Sequence, residues 1–262
     1  VAGRITVVKV SGHCLDDDAL LRQFAGIVAR SDEALVIVHG GGKEISDLQQ
    51  KLNIEPRYVD GLRVTDAGSL ALVEMVLCGS VNKRLVRYLL AAGVDAQGLS
   101  GVDRGLVRAR PMRHESIDMG YTGEVASVRR EVIADLLERG VTPVIAPVSV
   151  GKSSNFNLNA DPVAGAIAAA IGAWSVIFVS NVVGILVDDE RVTALTRMQA
   201  LDLIEGGVIH GGMIPKVRAA LDVLSSGVPQ AVITDLDGWA AQGGTTFLGA
   251  NVERTLKGEA CQ

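Results

Sequence analysis

Three charged residues stand where charge needs a reason. Lys9 interrupts the apolar run Ile-Thr-Val-Val-Lys-Val of residues 5–10 near its carboxyl end, the place where α/β sheets bind ligands. Lys216 falls in the first turn of a helical run behind Gly211-Gly212, where a cation opposes the helix dipole unless an anion sits nearby. Residues 36–42 read Val-Ile-Val-His-Gly-Gly-Gly, a buried strand opening into a loop without side chains. The period Ile45, Leu48, Leu52 then puts Gly41 and Gly42 at a helix N-terminus, which favours an anion such as a phosphate. Ser11-Gly12 ends the first strand in the same manner, so small residues line up at two strand ends. A plain strand-to-helix turn also explains the glycines, and a snorkelling edge-strand lysine also explains Lys9.

Other polar positions join this set. Asn157 and Asn159 alternate in an extended segment, so both carboxamides share one face, directed toward Asp161. Asp161 with Pro162 fits a helix N-cap followed by Pro at the first helical position. Arg63 follows the Asp60-Gly61 hairpin signal, and from the turn alone it reads as an exposed cation. Ser180-Asn181 closes a third strand with polar residues. Residues 146–153 fit a loose P-loop pattern, but residues 154–159 have no helical period, so we reject that reading.

The elements that position these residues follow from composition and period. The 262 residues are 48% hydrophobic and only 3% aromatic, an aliphatic core suited to helices laid on a parallel sheet covered on both faces. Residues 5–10, 15–30 and 36–39 give strand, amphipathic helix and strand, a βαβ unit. Thr65 is placed as cap of a helix over 66–77, followed by a second helix over 81–92 closed by Gly93. A short strand is expected at 96–99, a β-hairpin lid or flap over 103–128, a helix at 129–139 and a strand at 142–146. Residues 162–179 lack charge but are broken by Gly165 and Gly172, giving a buried helix and then a buried strand rather than a membrane span. Thr196 and Gln199 form a capping box, residues 230–234 a last strand, and residues 243–246 a small-residue loop.

A net charge of −5 argues against a nucleic-acid surface, so no nucleic-acid or membrane partner is expected. Cys14, Cys78 and Cys261 lack disulfide or metal spacing, which points to a reducing, cytoplasmic setting. The four histidines form no ligand cluster, so no protein-held metal is expected.

In order, Lys9 with Gly12, the 39–42 loop, Gly-Leu-Arg-Val-Thr at 61–65, Asn-Leu-Asn-Ala-Asp at 157–161 and Gly-Gly-Met-Ile-Pro-Lys at 211–216 make the chain resemble the amino acid kinase family from end to end. The resemblance implies an α/β fold, a three-layer α/β/α sandwich with a mainly parallel central sheet, forming a single domain over 1–262. An acyl-substrate lobe would occupy 1–150 and a nucleotide lobe 151–262. It implies transfer of the γ-phosphoryl of ATP, with Mg²⁺ bound through ATP, to the side-chain carboxylate of N-acetyl-L-glutamate in arginine synthesis. Lys9 and Lys216 would neutralise the transferring phosphoryl, Asp161 would hold both lysines, and the N–H groups of Gly12, Gly41 and Gly42 would cradle the phosphoryl. Gly41, Gly42, Arg63 and Asn157 would bind the substrate; Ser180, Asn181, Gly212 and Lys216 would bind the nucleotide. Ser11 replaces the family's usual first glycine, and Asn181 an aspartate common on the nucleotide side. With Cys-Gly-Ser-Val-Asn-Lys-Arg at 78–84 and Gly-Leu-Ser-Gly at 98–101, Asn181 resembles instead the branch that phosphorylates carrier-linked aminoadipate in lysine synthesis. A catalytically silent sensor on the same fold is a third reading. Only four residues precede the first strand, so a homodimer insensitive to arginine is expected rather than a hexamer.

Overall fold

The structure is a computed structural model that describes residues 3–249. Cys261 therefore lies outside the described residues. β1 (Ile5–Val10), a single turn α1 (Gly12–Leu15), α2 (Asp18–Ala29) and β2 (Ala34–His39) form the first βαβ unit. The Asp17 side chain caps α2 by accepting from the N–H groups of Ala19 and Leu20, so that helix starts later than its period suggests. α3 (Gly42–Lys51) follows the glycine loop, and β3 (Arg57–Val59) and β4 (Leu62–Val64) make the expected hairpin around Asp60-Gly61.

The next two helices are one rod. α4 (Ala67–Glu74) runs through a π-helical segment, Met75–Val81, into α5 (Asn82–Ala91). Its cap is Asp66, whose carboxylate accepts from Ser69 N–H, and not Thr65. Thr65 is buried and bridges to Gly120 instead. Gly79, in the gap between the two expected helices, sits inside the π turn.

β5 (Ala96–Gly101), β6 (Val107–Pro111), β7 (Thr122–Val128), α6 (Glu131–Leu137), β8 (Thr142–Val150) and β9 (Asn155–Leu158) come next. The β6–β7 hairpin is no free flap, because it is paired into the main sheet on both sides. β8 runs four residues beyond the expected strand, so residues 147–150 are sheet, in keeping with the rejected P-loop. α7 (Ala160–Ile171) and β10 (Ser175–Val179) account for the uncharged stretch, and no helix among the described residues is long and apolar enough to cross a membrane. The N-cap of α7 is Asn159, whose side chain accepts from Asp161 N–H; Asp161 lies in the first turn, freed from the capping duty read from sequence.

β11 (Leu186–Val187) and β12 (Glu190–Arg191) pair as a small ribbon. β13 (Ala194–Thr196), α8 (Arg197–Glu205) with its capping box, α9 (Met213–Ser225), β14 (Gln230–Thr234), α10 (Leu236–Ala240) and β15 (Thr245–Leu248) complete the described chain. Residues 245 and 246, expected in a loop, belong to β15, antiparallel to β14.

One 11-stranded sheet has the order β13-β15-β14-β10-β1-β2-β8-β6-β7-β9, with β5 also on β8. Its centre, β14-β10-β1-β2, is parallel and in register, so the carboxyl ends Val10, His39, Val179 and Thr234 form one crest. Helices cover both faces. Val7, Val36 and Val38 pack with α7 and α9 on one side, and Val8, Val10 and Ile37 pack with α2 and α5 on the other. This is the three-layer α/β/α sandwich.

Candidate active site

Strand alternation decides where Lys9 goes. It shares the face of Val7, which is the α7 face, and its ammonium meets the first turn of that helix. Lys9 Nζ stands 2.7 Å from Asp161 Oδ1, a close charge contact whose angles fall outside hydrogen-bond geometry. Lys9 is thus no snorkelling edge residue: β1 lies at the middle of the sheet. Lys216 comes in from the first turns of α9. Burial and the Lys9 charge push its pKa below the ordinary lysine value, and Asp161 opposes them, so all three groups feel one another.

A cavity of about 300 Å³ opens at this crest. It collects Lys9, Gly12, Gly41, Gly42, Arg63 and Asn157, six of the site residues read from sequence. Gly41 has φ +152°, and a Cβ there would lie 2.6 Å from Leu77 Cδ2, so only glycine fits. It starts α3 with no side-chain cap, leaving first-turn N–H groups for another acceptor. Ser11 adopts an ordinary extended conformation, φ −85° and ψ 161°, so a serine in place of glycine carries no backbone penalty.

Arg63 is only 8% exposed, contrary to its reading as a free hairpin cation. It donates to Gln49 Oε1, to Gly42 O at 3.0 Å and to Ser46 Oγ at 2.9 Å, and lies over the Tyr58 ring. Burial lowers its pKa, yet a guanidinium remains charged throughout the working range. Asn157 Nδ2 donates to Thr65 Oγ1 at 3.1 Å. Asp161, Lys216, Ser180, Asn181 and Gly212 do not line this cavity: Asp161 is in the first turn of α7 and Lys216 in α9, Ser180 is buried at the end of β10, Asn181 is exposed beside it, and Gly212 precedes α9. Ser180 Oγ and Ser11 Oγ are both buried without a hydrogen-bond partner in the protein.

Several participants escape sequence reading. Gln49, which fixes Arg63, looks like one more polar residue of an amphipathic helix. Asn82 sits behind the glycine loop, and Gly98 leaves room for it, since a Cβ on Gly98 would overlap Asn82 Oδ1. Arg84 pairs with Glu44 and donates to Leu15 O at 2.9 Å. The 78–84 and 98–101 motifs therefore have a scaffold explanation that says nothing about the substrate.

The sandwich, the crest and its paired charges are those of an α/β protein with a small-molecule site at the carboxyl ends of its parallel strands. Residues 4–235 match the profile described as "Amino acid kinase family", and the chain belongs to that family. It is 52% identical to an acetylglutamate kinase of Roseiflexus sp. (strain RS-1) over 91% of this chain and 92% of that one. It is 47% identical to an acetylglutamate kinase of Chloroflexus aurantiacus (strain ATCC 29366 / DSM 635 / J-10-fl), over 93% and 96%. A solved structure from Streptococcus mutans UA159 superposes with a TM-score of 0.78 at 32% identity, over 93% of this chain and 98% of that one.

Proposed function

We propose that this kinase transfers the γ-phosphoryl group of ATP to the side-chain carboxylate of N-acetyl-L-glutamate, forming an acyl phosphate in arginine biosynthesis. The observation that carries the reading is the contact of Asp161 with Lys9, which lines a cavity together with the glycine loop, Arg63 and Asn157. Phosphoryl transfer needs position and fixed positive charge more than a covalent partner. Lys9 and Lys216 supply the charge and Asp161 keeps both in place. The Gly12, Gly41 and Gly42 N–H groups bind phosphoryl oxygens. Arg63 takes the substrate α-carboxylate with the N–H groups its protein contacts leave free, and Asn157 orients the rest. The cavity is of the size that encloses a small acyl amino acid.

ATP lies across residues 151–262, which form the nucleotide lobe, while residues 1–150, together with Asn157 of that second lobe, hold the acyl substrate. Ser180, Asn181, Gly212 and Lys216 contact the nucleotide, and the orphan hydroxyl of Ser180 supports this placement. Mg²⁺ travels on the phosphates of ATP and supplies further neutralisation of their charge. The enzyme works in the cytoplasm, in keeping with the free thiols Cys14 and Cys78. It acts as a homodimer, for which Met75 and Leu90, 64% and 52% exposed, offer apolar surface; light scattering tests this.

Hydroxylamine trapping of the acyl phosphate tests the main reading. Turnover with ATP and free N-acetylglutamate is expected, and turnover with carrier-linked aminoadipate alone would refute it.

A further inference from the structure

The glycine loop is held from behind by two residues that the chemistry above leaves unused. His39, the last residue of β2, and Asn82, the first of α5, are both fully buried. His39 Nδ1 lies 2.8 Å from the Gly40 carbonyl, and its Nε2 lies 3.1 Å from Asn82 Nδ2. A carbonyl only accepts, so Nδ1 carries the proton and donates; Nε2 then keeps a lone pair and accepts from the Asn82 amide. Burial pushes the ring's pKa down to about 4, which keeps it neutral. The Asn82 amide is oriented in turn: Nδ2 also donates to Val144 O at 2.9 Å, and Oδ1 accepts from Lys83 Nζ at 3.0 Å. Leu99 O, at 3.3 Å, is a third acceptor near Nδ2; the two Nδ2 hydrogens serve the two nearer ones, Val144 O and His39 Nε2.

Its effect falls on one peptide. The C=O and N–H of a trans peptide point in opposite directions, so a Gly40 carbonyl held against the ring turns the Gly41 N–H away from it. Gly40 N–H is tied to Val10 O at 3.1 Å, and Gly41 O accepts from Ile45 N at 3.2 Å, so neither neighbour is free to rotate. Leu77, Val81 and Asn82 are all buried, and Leu77 and Val81 fill the space beside Gly41.

We propose that His39 and Asn82 are positioning residues for phosphoryl transfer, fixing the Gly40–Gly41 peptide so that the Gly41 N–H aims at the transferring group. The proposal rests on the kinase function given above. Two measurements test it, one of them independent of turnover. Long-range ¹H–¹⁵N correlation on the wild-type protein should show His39 neutral and protonated at Nδ1 between pH 6 and 9; an Nε2-protonated or charged ring overturns the assignment. The second compares His39→Leu with His39→Asn, whose amide can stand where Nδ1–H stands. His39→Leu should lower kcat about 100-fold per folded molecule, with both KM values changed less than about threefold, as for loss of one aligned transition-state donor. His39→Asn should recover at least about tenfold of that loss. Equal kcat in the two folded variants, or losses confined to Tm, would make the pair merely structural. A wild-type protein inactive on N-acetylglutamate would remove the substrate assignment while the ring measurement still decides the clamp.

Discussion

Asp161→Asn isolates the charge proposed to hold the two lysines. The cap of α7 is Asn159, so the substitution leaves helix capping intact and removes only the negative charge. Lys9 and Asp161 are 2.7 Å apart, with side chains 15% and 19% exposed, between a surface pair and a buried one. Breaking a buried pair costs about 3–5 kcal/mol and an exposed pair about 0–1, so about 2 kcal/mol is at stake here. If that energy orients the cations in the transition state, kcat falls by roughly 30-fold, and by ~10²–10³ if both lysines lose alignment. A second signature follows from Lys216. Its charged form is needed, so activity declines on the alkaline side as it deprotonates, below the ordinary lysine range because of burial and Lys9. Asp161 is the group that raises this pKa, hence its removal moves the alkaline limb to still lower pH. Steady-state rates across pH, on protein whose folded fraction is checked by urea titration, read both effects. A kcat within about threefold of wild type and an unmoved alkaline limb would refute the reasoning.

Lys9→Ala and Lys216→Ala should each lower kcat by ~10²–10³ while moving substrate KM far less; a near-normal kcat in either would remove its assigned role. Arg63→Lys loses the fork that reaches both Gly42 O and Gln49, and should raise the KM for N-acetylglutamate about tenfold; an unchanged KM would place the α-carboxylate elsewhere. Gly98→Ala drives a methyl into Asn82 and to 2.7 Å from Lys83 Nζ, so stability should drop by about 1–3 kcal/mol in urea titration; a neutral result would mean that Asn82 yields without cost.

What the sequence discloses follows from the range of the interactions involved. The parallel crest is legible because Val- and Ile-rich strands ending in glycine are local patterns, as is the capping box of Thr196 and Gln199. Caps next to competing candidates are harder: Thr65 and Asp66 are both good caps, and the choice is made by Gly120, which lies just ahead of β7 and bridges to Thr65. Asn159 displaces Asp161 for a similar reason, since Lys9, far off in sequence, engages the aspartate. The π turn has no local signature beyond Gly79, in the gap between the two expected helices. Arg63 shows the limit most plainly. Its exposure is set by Gln49 and Ser46 on a different element, and no period within the hairpin carries that information.

The same separation bears on substrate choice. Residues 78–84 and 98–101 resemble a kinase of another acyl substrate, but in three dimensions they build the wall behind the glycine loop. Asn82 reaches His39, Gly98 makes room for Asn82, and Arg84 joins Glu44 to the end of α1. Side chains that face the cavity are of another kind: Arg63, Asn157, Tyr58, Leu62 and Ile45. A wall can be shared by kinases of different carboxylates, because every one of them must hold the same phosphoryl group; the acyl end alone must differ. Around Arg63 that end has one nearby hairpin cation, Arg57, against Asp60 and Asp66, with Asp60 itself 3.5 Å from His114. A carrier protein, were it acidic, would meet like charge there, whereas a small free amino acid needs only the buried guanidinium. On the proposed function, discrimination between the two substrates therefore lies in residues 57–66 and not in the motifs that resemble the other branch.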